Sequence, residues 1–258
     1  MPYDTIDYAV ADQVATIRLD RPDRMNALNA TMRRELVDAL SRAPGEARAI
    51  VLTGNGPGFC AGQDLGDVQR LGDLNLEQLL REEYEPLLRL IYDCPVPTIC
   101  AVNGVAAGAG ANLALAADIV IAARSGSFIE AFAQIGLIPD AGGTYWLPRL
   151  VGQARAMAMC LLAEPIPAGT AAEWGLIWEA VDDDALEGRA AELASRLASG
   201  PGVAYRLMKR ALRESPGNGL EAQLSLEAEL QAEAGQSRDF MEGVMAFLEK
   251  RAARFEGR

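Results

Sequence analysis

The sequence predicts an α/β protein in which a largely parallel sheet is followed by a helical C-terminal region. Short apolar segments of strand length alternate with amphipathic helical segments up to about residue 183. This alternation is typical of parallel strands joined by crossover helices. From Asp184 onward the apolar residues recur only at helical spacing, which favours helices alone. With half of its 258 residues hydrophobic, the chain can bury one sizeable core.

The N-terminal third predicts a hairpin, a helix and a buried strand, in that order. Residues 6–10 and 14–16 alternate apolar and polar side chains, which indicates two antiparallel strands around a turn at residues 11–13. Asn29 precedes apolar residues at every fourth position, so we expect it to cap a helix. Residues 49–53 form an apolar run that enters a glycine-rich loop, as a buried strand would.

The rest of the chain predicts further strands and then four helices. A helix is expected over residues 76–92, with a kink or break near Pro86. Residues 98–102 and 119–122 are apolar runs of strand length. We therefore divide the chain into a core of residues 1–183 and a helical region of residues 184–258.

Composition excludes several kinds of partner. The 24 basic and 36 acidic residues give a formal net charge of −12, so nucleic acid and anionic membranes would repel the chain. The least polar run, residues 101–123, contains Asn103, Asn112 and Asp118, which favours buried core over a membrane span.

The four cysteines form no CxxC pair, and the N-terminus shows no basic and apolar leader. We expect reduced thiols and a cytoplasmic protein.

The absence of histidine narrows the chemistry. With none in 258 residues, catalytic triads built on histidine and imidazole metal sites are excluded. The only lysines, Lys209 and Lys250, leave little for Schiff-base chemistry. Proton transfer must then depend on Asp, Glu, Tyr or Cys side chains.

Three glycine-rich segments hold the polar groups from which a site could be built. Small residues in 58–65 allow backbone N–H groups to approach a ligand, although an ordinary turn is the simpler explanation of that segment alone. Residues 103–114 open a helix whose first amides would stabilise negative charge, and close packing is the alternative. Within residues 135–144, Asp140 is either an N-cap or a general base whose pKa is raised by burial.

In their order and spacing these segments resemble the crotonase superfamily of enoyl-CoA hydratases and isomerases. The resemblance rests on Phe-Cys-Ala-Gly-Gln-Asp-Leu at 59–65, Asn-Gly-Val-Ala-Ala-Gly-Ala-Gly at 103–110 and Gly-Leu-Ile-Pro-Asp-Ala-Gly-Gly-Thr at 136–144. It extends over residues 5–255. It implies a crotonase-like spiral core of ββα units and a helical C-terminal trimerisation extension, and therefore a homotrimer or a hexamer.

The resemblance also implies an acyl-CoA site in which coenzyme A belongs to the substrate, with no separate cofactor and no metal. Asp140 would be the catalytic carboxylate, and the backbone N–H groups of Gln63 and Ala109 would form an oxyanion hole, where a donor is worth about 3–4 kcal/mol. Phe247 and Lys250 would reach the CoA of a neighbouring subunit. The CoA- and substrate-binding positions that it implies are Arg24, Ala27, Ala61, Gln63, Asp64, Leu65, Phe132, Phe247 and Lys250.

Two positions depart from the hydratase pattern. Hydratases of the superfamily use two glutamates, and the matching positions here hold Asn112 and Phe132. Neither side chain exchanges a proton near neutral pH, which favours an isomerase with Asp140 as its single base. Glu130 lies two residues from Phe132, an offset that changes its depth or its face, so we expect it to take no part in the site.

Three motifs are Cys-Ala-Gly-Gln-Asp-Leu at 60–65, Glu-Trp-Gly-Leu-Ile-Trp-Glu at 173–179 and Ala-Gly-Gln-Ser-Arg-Asp-Phe at 234–240. They resemble, within the superfamily, the ring-epoxide isomerases of aerobic phenylacetate degradation, which convert 1,2-epoxyphenylacetyl-CoA into an oxepin. Phe132, Tyr145 and Trp146 would then line an aromatic pocket. Other functions stay open. They are a Δ3,Δ2-enoyl-CoA isomerase, a dehalogenase with Asp140 as nucleophile, a non-catalytic acyl-CoA-binding paralogue and a structural oligomeric protein.

Overall fold

Two sheets of unequal size organise the computed structural model, which describes residues 2–67 and 75–258. The strands are β1 (Ile6–Ala11), β2 (Val14–Leu19), β3 (Ala49–Gly54), β4 (Gly58–Cys60), β5 (Thr98–Val102), β6 (Val105–Ala107), β7 (Ile119–Ala123), β8 (Ser127–Ile129), β9 (Ile166–Pro167) and β10 (Glu179–Val181). The larger sheet has six strands in the order β1-β2-β3-β5-β7-β10. Its first two strands pair antiparallel, and its other neighbours are parallel. The predicted hairpin and parallel sheet are confirmed.

The smaller sheet has four strands in the order β4-β6-β8-β9. In three successive units a strand of the larger sheet is followed within a few residues by a strand of the smaller one: β3 by β4, β5 by β6, and β7 by β8. This is the ββα spiral that the resemblance implies. The residue pattern alone did not predict the smaller sheet, because strands of two or three residues are too short to show an alternation.

Ten α-helices accompany the sheets in the described part of the chain. They are α1 (Ala30–Glu46), α2 (Leu76–Leu79), α3 (Glu85–Tyr92), α4 (Ala109–Leu115), α5 (Gly143–Leu162), α6 (Ala168–Trp174), α7 (Leu186–Ala198), α8 (Gly202–Glu214), α9 (Leu220–Ala234) and α10 (Arg238–Glu249). Asn29 caps α1 by accepting a hydrogen bond from the Met32 amide, as predicted. The last four are the predicted C-terminal helices.

The predicted irregularity near Pro86 lies a few residues earlier. A π-helical turn over Leu80–Tyr84 joins α2 to α3, and Pro86 occupies the first turn of α3. Because the π-helical turn runs directly into α3, Pro86 removes one hydrogen bond from a continuous helical segment, and its ring crowds the carbonyl four residues before it. The distortion therefore falls on the N-terminal side of Pro86.

Helix α7 packs on the larger sheet, whereas α8 and α9 pack on each other. Leu186 and Leu193 of α7 lie in one apolar cluster with Ile99 and Ile121 of the sheet. The first of the C-terminal helices is thus part of the covering of the core. The division of the chain at residue 184 stays a prediction.

Helices α9 and α10 carry large apolar side chains that the single chain leaves in solvent. Leu224 is 51% exposed, Phe240 is 50% exposed and Phe247 is 83% exposed. The homotrimer or hexamer stays a prediction, for which these side chains provide apolar surface. Within residues 2–67 and 75–258 we find no helix with the length and apolar character needed to cross a bilayer.

Candidate active site

The loop after β4 leaves the backbone amide of Gln63 available to a ligand. The Leu28 amide donates to the Gly62 carbonyl over 2.7 Å, and the Asp64 amide donates to the Leu28 carbonyl over 3.2 Å. These two bonds form a parallel bridge between Leu28 and Gln63. In such a bridge the amide of the middle residue points away from the partner strand. No described residue accepts a hydrogen bond from the Gln63 amide.

The first turn of α4 provides the second amide. Gly108 is its N-cap, with a φ of +52° that favours glycine. Ala109 is therefore the first helical residue, and its N–H is one of the amides that a helix leaves without an internal partner. No acceptor for it lies among the described residues.

Gly62 allows the two segments to approach each other closely. A Cβ at Gly62 would lie only 2.8 Å from the Ala107 carbonyl oxygen and 3.4 Å from the Ala109 nitrogen. The first distance is shorter than a side-chain carbon tolerates, so a residue larger than glycine would push the loop away from α4. The structure thus brings together the two segments that carry the predicted oxyanion donors.

Asp140 lies beside the first turns of α4 and α5, and its side chain caps neither. The N-cap of α5 is Gly142, with no side-chain cap, so the N-cap interpretation of Asp140 is wrong. Its Oδ1 atom is buried without a hydrogen-bond partner among the described residues. Burial raises the pKa of Asp140 to about 6. Such a carboxyl group can take up and release a proton near neutral pH.

Asn112 connects Asp140 to a second buried acid. Its Nδ2 donates to the Asp140 carbonyl oxygen over 2.9 Å and to Oε2 of Glu130 over 3.3 Å. Glu130 is 1% exposed. Burial, reinforced by the charge of Asp140, raises the pKa of Glu130 to about 7. The chain turns at Glu130 into a short 3₁₀ helix, and its carboxyl group faces α4 without lining the cavity that contains Asp140. That Glu130 takes no part in the site stays a prediction.

Asp140 lines a cavity of about 740 Å³ whose walls are mainly aromatic and aliphatic. Tyr145 and Trp146 line it, as predicted, and Tyr84 and Tyr92 of the preceding helical segment also line it. Phe132 was predicted to line this pocket and does not. It is buried under Gly108, with its ring 3.6 Å from where a Cβ of that glycine would lie.

Cations support the aromatic wall from outside. The guanidinium of Arg213 in α8 lies 4.1 Å from the ring centre of Tyr92, and that of Arg149 lies 3.7 Å from the ring centre of Tyr145. Tyr145 and Trp146 meet edge to face at 4.8 Å. Such contacts restrict how far the rings can move. No motif in the sequence predicted a place in the cavity wall for Tyr84 and Tyr92 or a supporting contact for Arg213, although the helix expected at residues 76–92 contains both tyrosines.

The predicted CoA-binding positions of the first two loops also come together. Arg21 forms a 2.8 Å ion pair with Asp64 and donates to the Ala27 carbonyl over 2.5 Å. The Ala61 amide donates to the Met25 carbonyl over 2.9 Å. Two further predicted positions, Arg24 and Leu65, are exposed beside this junction. The ion pair with Arg21 holds the pKa of Asp64 below its usual value against the effect of burial.

Phe247 and Lys250 lie at the C-terminal end of α10, and neither lines the cavity that contains Asp140. Both are exposed in the single chain. Their predicted contact with the CoA of a neighbouring subunit depends on an assembly and stays a prediction.

Comparison with known proteins agrees with this geometry. Residues 10–258 match the enoyl-CoA hydratase/isomerase family. A protein of Rhodobacter capsulatus named as a probable enoyl-CoA hydratase is 62% identical over 258 residues, which are 100% of both chains. The 1,2-epoxyphenylacetyl-CoA isomerase of Escherichia coli is 48% identical over 250 residues, 95% of each chain.

Similarity to a solved structure extends over the whole fold. The crystal structure of a Mycobacterium abscessus protein described as an enoyl-CoA hydratase/isomerase superposes with a TM-score of 0.93 at 42% identity, covering 98% of this chain and 100% of that one. With the spiral of ββα units and the full-length matches together, the chain belongs to the enoyl-CoA hydratase/isomerase family of the crotonase superfamily.

Proposed function

We propose that this chain is an acyl-CoA isomerase that acts on 2-(1,2-epoxy-1,2-dihydrophenyl)acetyl-CoA and forms the oxepin thioester. The observation that carries the proposal is the identity of the acids at the site. At the two positions where hydratases of the superfamily carry glutamates, this chain carries Asn112 and Phe132, and both are buried. Asp140 is the carboxylate with a raised pKa that lines the cavity.

The mechanism needs one base and one oxyanion hole. The amides of Gln63 and Ala109 would bind the thioester carbonyl oxygen and stabilise the negative charge that it gains. Asp140 would remove a proton from the carbon next to that carbonyl. The carbon–carbon bond shared by the epoxide and the six-membered ring would break to give the seven-membered oxepin. The α-carbon would become doubly bonded to that ring, and Asp140 would return its proton to a ring carbon. Substrate and product then have the same mass, and no water is consumed.

The side chains that line the cavity support an aromatic acyl group as the substrate. Its walls contain Tyr84, Tyr92, Tyr145 and Trp146, and aromatic rings stack favourably on a flat, conjugated ligand. The 48% identity to the Escherichia coli epoxide isomerase supports the same substrate class.

A Δ3,Δ2-enoyl-CoA isomerase is the second candidate, because it needs the same base and the same hole. A hydratase is a third, favoured by the name of the Rhodobacter capsulatus relative. That function would need Glu130 as a second acid, and Glu130 is separated from Asp140 by Asn112. A non-catalytic paralogue or a structural protein would have no use for a partly buried carboxylate with an unpaired oxygen, which costs stability.

A product assay on the purified protein tests these alternatives. The protein is incubated separately with 1,2-epoxyphenylacetyl-CoA, 3-hexenoyl-CoA, crotonyl-CoA and 4-chlorobenzoyl-CoA, and products are identified by mass and absorbance. We expect conversion of the epoxide without change in mass, feeble hydration of crotonyl-CoA at most, and no release of chloride. Conversion of 3-hexenoyl-CoA alone would favour the second candidate. Brisk formation of 3-hydroxybutyryl-CoA would overturn the isomerase assignment.

A further inference from the structure

The side chain of Gln63 is held by two donors from different parts of the fold. The hydroxyl of Tyr84 donates to its Oε1 over 2.5 Å, and Nη1 of Arg33 donates to the same oxygen over 2.9 Å. Tyr84 and Arg33 are both buried, each 3% exposed. An oxygen that accepts two hydrogen bonds from buried donors has little freedom to rotate.

Arg33 also fixes the strand that borders Gln63. Its Nη1 donates to the Leu28 carbonyl over 2.7 Å. That carbonyl accepts the Asp64 amide as well, in the bridge that directs the Gln63 amide toward the ligand. One guanidinium therefore holds both the side chain of Gln63 and the backbone on which the direction of its amide depends.

The π-helical turn places Tyr84 between this network and the substrate cavity. Glu83, in the same turn, binds Nε of Arg33 over 2.8 Å. The next residue, Tyr84, contacts Gln63 and lines the cavity with Asp140. A π-helical turn contains one more residue than an α-helical turn. It allows consecutive residues, Glu83 and Tyr84, both to reach the Arg33–Gln63 pair.

We propose that Tyr84, supported by Arg33, is a positioning residue that holds the Gln63 amide in the direction required to bind the thioester carbonyl. The proposal rests on the oxyanion role of Gln63 in the proposed function. Tyr84 donates its only hydroxyl hydrogen to Gln63, so that hydrogen is not available to the substrate. Burial raises the pKa of Tyr84 above its ordinary value, so the hydroxyl keeps that hydrogen across the physiological range.

The test measures carbonyl polarisation directly and does not depend on turnover. The probe is 4-dimethylaminocinnamoyl-CoA, a conjugated thioester whose absorption moves to longer wavelength when its carbonyl oxygen is bound by strong donors. Tyr84→Phe should lose most of the red shift of the wild-type complex. Isomerisation should fall about tenfold in kcat, as expected for one misplaced hydrogen bond, with KM changed less than twofold.

Tyr8→Phe is the matched control. It removes the hydroxyl of Tyr8 in β1, which donates over 2.6 Å to Glu46 at the end of α1. This variant should keep the full red shift and wild-type kcat. Thermal unfolding of both variants shows whether the fold is intact.

A double variant separates positioning from direct contact. Gln63→Met removes the acceptor, so adding Tyr84→Phe to it should cause no further loss of red shift or of kcat. A full tenfold loss from Tyr84→Phe in the Gln63→Met background would mean that the hydroxyl contacts the substrate, and would overturn the proposal. Absence of a red shift in the wild-type complex would also overturn it. A wild-type red shift without isomerisation would instead refute the proposed reaction, and the spectra of the variants would still decide the role of Tyr84.

Discussion

The side-chain amide of Asn112 lies 3.3 Å from the carboxyl group of Glu130, and both residues are buried. The family resemblance implies that Asn112 stands where hydratases carry a glutamate, and its amide contacts the acid Glu130. The same nitrogen donates to the carbonyl of Asp140. One amide thus contacts the carboxyl group of Glu130 and the main-chain carbonyl of Asp140.

Asp140→Asn should abolish isomerisation. The substitution keeps the size of the side chain and removes its ability to accept a proton, so kcat should fall by about 10²-fold or more. Binding of CoA esters, measured by calorimetry, should survive. Asp93→Asn, which changes an exposed carboxylate, is the control and should keep wild-type turnover. Near-normal turnover of Asp140→Asn would remove Asp140 from the mechanism.

The pH dependence of kcat/KM should show a single acid limb near 6. Asp140 must be ionised to act as a base, and its pKa is raised to about 6, so activity should rise with pH up to that value. Glu130 is still protonated there, because its pKa is raised to about 7. Glu130→Gln imitates this neutral state and should leave the limb in place. A limb displaced by more than one pH unit in Glu130→Gln would contradict this order of ionisation.

Stability should fall as pH rises through the range in which Glu130 ionises. The folded pKa, about 7, lies above the ordinary value of 4.5. The folded state therefore binds this proton more tightly than the unfolded state, and the free energy of unfolding decreases between these two pH values. Glu130→Gln should remove this pH-dependent decrease in the free energy of unfolding, because glutamine does not ionise. Relative to wild type, the variant should gain about 2–3 kcal/mol between pH 5 and pH 8 in urea unfolding.

Glu173→Gln, an exposed carboxylate on α6, is the control for that measurement. The difference in free energy of unfolding between Glu173→Gln and wild type should be the same at pH 5 and at pH 8. If Glu130→Gln also differed from wild type by the same free energy of unfolding at both pH values, Glu130 would ionise normally in the folded state.

Restoring the hydratase glutamates should require a third change. Asn112→Glu with Phe132→Glu would place a new carboxylate against Glu130, and two buried like charges disfavour each other's ionised forms. We expect little gain in hydration of crotonyl-CoA from this pair alone. Adding Glu130→Gln should raise hydration by about 10²-fold, measured as product one water heavier than the substrate. Equal hydration with and without Glu130→Gln would contradict this account of Glu130.

The purified protein should be a trimer or a hexamer. The exposed apolar side chains of α9 and α10 are a large apolar surface for a monomer to leave in water. Light scattering should give three or six times the 27.5 kDa of one chain. Phe240→Asp should shift the distribution toward smaller species if this face forms the interface. A stable monomer at micromolar concentration would refute the assembly.

The sequence predicted the elements whose signals are local. The cap at Asn29, the hairpin and the four C-terminal helices depend on neighbouring residues, and the structure confirms them. The contact between Glu130 and Asn112 joins residues 18 positions apart, and no periodicity within either segment predicts it. Phe132 is buried beside Gly108 of another segment, a contact that no pattern within its own segment predicts.

Arg213 supports Tyr92 from a helix that does not itself contact the ligand cavity. Helix α8 therefore belongs to the C-terminal region and also stiffens one side of the cavity that contains Asp140. A substitution in α8 can loosen that side and admit a bulkier acyl group while every residue that contacts the ligand stays the same. For enzyme engineering, this makes positions behind the tyrosines as useful as the tyrosines themselves. It also gives natural variation a route to new acyl groups that leaves Asp140, Gln63 and Ala109 unaltered.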